Sequence, residues 1–210
     1  ADTAMAVAQA CREHGRPATA VGDVAGWLSG TTFAGHRLPI RRIVLVVPNV
    51  DARLRQQLLA IAAKGRAGAA VERGHLALRI LGESEDRLAA AGCASATLCG
   101  DLAVPSPGAL VAQLTAGNWC WDPPDRLRWM VEVAALVQKS LDLDALASEM
   151  AEVLAHADVG RAGERALLAL RALLPDEASR QCLDPLIEAA AAVPDGPGAR
   201  IRGRLRLLPC

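Results

Sequence analysis

Aromatic residues are scarce in this chain: four Trp, one Phe and no Tyr among 210 residues. Modules that stack bases or sugar rings need exposed aromatic platforms, so the scarcity argues against them. Lysine is nearly missing as well. Only Lys64 and Lys139 occur, and arginine supplies the other 21 basic residues. An excess of one charge sign is absent too, since 23 basic residues balance 23 acidic ones. No strong basic field is available to hold nucleic acid, and none is expected as a partner. No uninterrupted apolar run approaches the ~18 residues of a membrane helix, and no positively charged, apolar leader is visible.

Common catalytic signatures are also lacking. Gly65-Arg66-Ala67-Gly68 has too few glycines for a phosphate cradle and lacks the Gly-Lys-Ser/Thr ending of a P-loop. There is no Gly-x-Ser-x-Gly elbow, no His-Glu-x-x-His helix and no kinase signature. Zinc sites need four well-placed ligands, and no Cys-x-x-Cys pair occurs.

What is present is a chain rich enough in apolar residues to fold. Hydrophobic residues make up 52% and charged residues 22%, which excludes a disordered segment. The length suits one large domain or two small ones. Arginine in place of lysine, with abundant Ala and Gly, points to coding from a high-GC bacterium. Six cysteines, at 11, 93, 99, 120, 182 and 210, are too sparse for a disulfide scaffold. They read as reduced, partly buried thiols of a cytoplasmic protein.

The pattern of the first part, residues 1–117, is α/β, with α+β as the variant. An Ala-rich helix is expected over 2–14 and a short one over Val21–Leu28. Ile43-Val44-Leu45-Val46-Val47 is the clearest strand, five branched apolar residues stopped by Pro48. A helix follows from Asp51 to Lys64, closed by Gly65. Leu76–Leu81 predicts a strand, Ser84–Ala91 a helix, Ala96–Cys99 a short strand and Pro107–Ala116 a helix. The sum is a small parallel or mixed sheet with flanking helices.

Residues 118–125, with Trp119, Trp121, Pro123 and Pro124, form a junction that neither a helix nor a central strand can cross. In residues 126–210 four apolar stripes recur every three or four positions. They are Leu127 to Leu141, Leu143 to Leu154, Leu167 to Leu174 and Leu183 to Ala190, a layer of about four amphipathic helices. At the end, Ile201, Leu205 and Leu207 interleave with Arg202, Arg204 and Arg206, the period of a C-terminal edge strand. If that strand returns to the sheet, the two parts make one integrated domain.

Candidate chemistry falls in four places. Ligands of open α/β sheets bind beyond the carboxyl ends of the strands, where Asn49, Asp51, Glu83, Glu85 and Asp101 fall. Asp51, Glu83 and Asp101 could together hold magnesium, or each could complement a helix N-terminus. Among thiols and imidazoles, Cys11 with His14 and Cys93 with Cys99 lie close in sequence, while Cys99 would meet His36 or His75 only through folding. Buried structural cysteine is the plainer account. His156, near a helix end, suits the dipole there.

Trp119, Trp121 and Trp129 fall within eleven residues at the junction, either as a staple between the two parts or as a partner-binding hot spot. Arg202, Arg204 and Arg206, with Arg200, either guard a sheet edge or dock an acidic partner such as the acids Asp142, Asp144, Glu149, Glu152 and Asp158. These features lead to a non-enzymatic protein-interaction module, an adaptor or accessory component of a larger bacterial assembly. It needs no cofactor, and its partner is another protein or a second copy. The alternative is a metal-assisted or small-molecule enzyme using magnesium on the strand-end acids.

Overall fold

The computed structural model describes residues 2–21, 23–30, 32–33, 36–37, 42–69, 77–82, 87–117 and 126–194. The chain divides into two compact units, Ala1–Ser106 and Pro107–Cys210.

In the first unit the branched run forms strand β4 (Arg42–Val47), and Val44 to Val47 are all buried, as an inner strand requires. It pairs in parallel with β5 (Ala77–Gly82) on one side. On the other side it pairs antiparallel with β1 (Ala18–Val21). β1 in turn pairs in parallel with β7 (Leu102–Val104), which forms an antiparallel hairpin with β6 (Thr97–Cys99). The result is a mixed five-stranded sheet in the order β5-β4-β1-β7-β6. A separate two-stranded ribbon joins β2 (Thr32–Phe33) to β3 (His36–Arg37). The expected α/β class, a small mixed sheet with flanking helices, is what the chain adopts.

The centre of the sheet is a strand that the sequence pattern did not predict. Ala18-Thr19-Ala20-Val21 is short and built from small residues, yet all four are buried. The helix expected over Val21–Leu28 is confined to α2 (Asp23–Leu28). The helix expected to stop at Gly65 continues as α3 (Ala52–Ala69). Glycine costs a helix only about 1 kcal/mol relative to Ala, and no proline follows to enforce a stop. α1 (Asp2–Glu13) packs along α3, and α4 (Arg87–Cys93) lies against β4. Val7, Leu45, Val46, Leu58 and Leu102 are fully buried and centre this core.

The second unit is helical. Its first helix, α5 (Pro107–Gly117), starts on a proline whose missing N–H costs nothing at that position. Every residue from Gly108 to Ala116 is buried. α6 (Arg126–Lys139) packs on α5, as do α7 (Leu143–Ala157) and α8 (Gly160–Leu173). The short α9 (Glu177–Gln181) leads to α10 (Asp184–Ala192), which packs against both α7 and α8. α7 and α8 touch each other only sparingly.

Local signals set these boundaries. Asp142 caps α7 by accepting the Ala145 N–H at 2.9 Å. At the far end Asp158 takes the left-handed conformation, φ 59°. Its N–H reaches the Ala155 carbonyl at 3.1 Å and the Val159 N–H reaches Leu154 at 3.0 Å, the paired bonds that stop a helix. Gly160 and Gly163 then let α8 close on its neighbours. A Cβ at Gly160 would sit 2.7 Å from the Val193 Cβ, and one at Gly163 would sit 2.8 Å from a Leu154 methyl. The expected C-terminal edge strand and the 118–125 junction lie outside the described residues.

Candidate functional site

β4, β5 and β6 run one way and β1 and β7 the other, so the ends of β4 and β6 share a sheet edge with the starts of β1 and β7. That edge gathers Asn49 and Asp51 after β4, Asp101 before β7, and Arg12 and Arg16 before β1. Two of the three acids expected at strand ends are therefore on one edge. Glu83 and Glu85 lie outside the described residues.

Each described acid there already has partners. Asp101 Oδ1 is 2.7 Å from Arg12 Nη1. Asp51 Oδ1 accepts the Leu54 N–H at 2.8 Å, capping α3, and its Oδ2 lies 3.7 Å from Arg16 Nη1. The same Arg16 nitrogen donates to the Asn49 carbonyl at 2.7 Å, bridging two loops. Asn49 has φ 50°, a left-handed turn that asparagine tolerates. The Leu54 N–H first, and Arg16 beside it, hold the Asp51 carboxyl below its ordinary range. The helix start and the arginine thus hold the Asp51 carboxyl in its ionised form. Among the described residues no three His, Cys, Asp or Glu side chains cluster to hold a metal.

The described thiols and imidazoles join no group of three candidate metal ligands. Cys11 is fully buried, and burial pushes its thiol up to about 11, which keeps it protonated and unreactive. Its neighbour in sequence, His14, is exposed. Cys93 donates to the Ala89 carbonyl at 3.2 Å, a helix back-bond. Cys11, Cys99 and Cys182 are free thiols among the described residues. His156 lies exposed in the last turn of α7, where its expected role was to suit the dipole. His75 and the arginines at 200, 202, 204 and 206 lie outside the described residues.

Of the three junction tryptophans, Trp129 is on α6 and 7% exposed, a core residue of the helical unit. Trp119 and Trp121 lie outside the described residues. Near Trp129, Arg128 Nε donates to the buried Glu132 at 2.8 Å, one turn apart on α6.

Large apolar side chains are exposed in both units. In the sheet unit they are Met5, Leu59 and Leu98, and in the helical unit Leu141 is fully exposed, Leu173 is 63% exposed and Leu168 is 45% exposed. The sequence pattern had placed Leu141 and Leu173 in buried stripes. α6 ends at Lys139, so Leu141 stands in a turn where helical phase no longer applies. Leu173 is the final residue of α8, past the last buried position, Leu170. The signals were Ser140 and Asp142 before α7 and Pro175 after α8, which mark both leucines as helix-end residues.

Compared with known proteins, the chain matches no family model, no curated protein and no solved structure. Among the described residues, no helix is long and apolar enough to cross a membrane.

Proposed function

We propose that the chain is a non-enzymatic protein-interaction module, an adaptor or accessory component of a larger bacterial assembly in the cytoplasm. The observation that carries this reading is the set of large apolar side chains left in water on the helical unit, Leu141, Leu168 and Leu173. Solvated leucines within one small unit are the material from which binding surfaces are made. The sheet edge supports the same reading from the other side. Asp51 and Asp101, the described members of the magnesium alternative, spend their carboxylates on arginines and a helix cap. Free thiols at Cys11, Cys99 and Cys182 accord with a reducing compartment.

Site-specific photocrosslinking tests the reading. A photoreactive residue in place of Leu141, Leu168 or Leu173, in the full chain in its producing cells, is expected to give a discrete protein adduct. The same residue at Arg53, exposed on α3, is expected to give none. Absence of adducts at all three leucines would contradict the proposal.

A further inference from the structure

We draw no further inference here: the strongest candidate, the exposed face of α8 that carries Arg165, Leu168 and Leu173, is an unpartnered helix face, and nothing in the structure shows what covers it.

Discussion

In the sheet unit, the described carboxylates at the strand ends meet arginines of their own unit, Asp101 with Arg12 and Asp51 with Arg16. In the helical unit Arg128 pairs with Glu132 and Arg171 with Asp184, but Asp144, Glu152 and Arg165 stand exposed without ion-pair partners among the described residues. Both units leave large apolar side chains in water, Leu59 and Leu98 in one and Leu141, Leu168 and Leu173 in the other. Both units draw on the same arginine-rich, lysine-poor set of residues. The difference teaches that the location of a charge says less than whether its partner is in the same unit. Internally paired charges tie loops to helices. Unpaired ones, set among exposed apolar groups, are available to another molecule.

The largest effect should come from emptying either core. Leu58 in the sheet unit and Leu154 in the helical unit are both fully buried. Leu58→Ala and Leu154→Ala should each lower unfolding free energy by about 2–5 kcal/mol in urea titrations. If either is near neutral, that core is not packed as described.

Smaller losses should follow from filling the close approaches of the helical unit. A Cβ at Gly108 would lie 2.8 Å from the Leu146 carbonyl oxygen, which is backbone and cannot swing aside. Gly108→Ala and Gly160→Ala should each cost about 1–3 kcal/mol by the same titration. An unchanged midpoint would mean α5 and α7, or α8 and the end of α10, lie farther apart.

A change of opposite sign is expected at Gln113. This residue on α5 is 9% exposed, and among the described residues neither its amide oxygen nor its nitrogen has a hydrogen-bond partner. Gln113→Leu removes that desolvated amide at similar volume and should stabilise the chain by about 1–3 kcal/mol, read as a higher melting temperature. A lower one would reveal a hidden partner for the amide.

The smallest effects concern pH, and they belong to the sheet unit. The Cys11 thiol ionises near 9.0 when unfolded and at about 11 when folded. Its contribution is complete below pH 9 and is lost as pH rises toward 11. Asp51 behaves in the opposite sense, because its folded value is lowered. Its contribution is present above the ordinary carboxylate range and is lost as pH falls through the folded value. Urea midpoints across pH should flatten at the alkaline end in Cys11→Ala and at the acid end in Asp51→Asn. Curves that match wild type at both ends would contradict these assignments.

Much of this architecture is legible in the sequence where pattern is strong. The branched run of β4 and the leucine periodicity of α6 to α8 carry their own signals. β1 and β7 do not. Four and three residues of small or mixed type gain strand character only from neighbours far along the chain, such as Thr19 opposite Val46. The same limit applies to the site. Asp51 and Asp101 can be placed at strand ends from spacing, but Arg16 finds the Asn49 carbonyl only through folding. Exposure at Leu141 and Leu173 depends on where helices end, the least certain feature of a periodic pattern.

Hydrogen exchange of the full chain, alone and with extract of its producing cells, followed element by element, tests the central contrast most directly. The account predicts that amides of α7 and α8 exchange more slowly with extract present, while those of α1, α3 and the five-stranded sheet are unchanged. Protection gained at β6 or α3 instead, or none gained in α7 and α8, would contradict it.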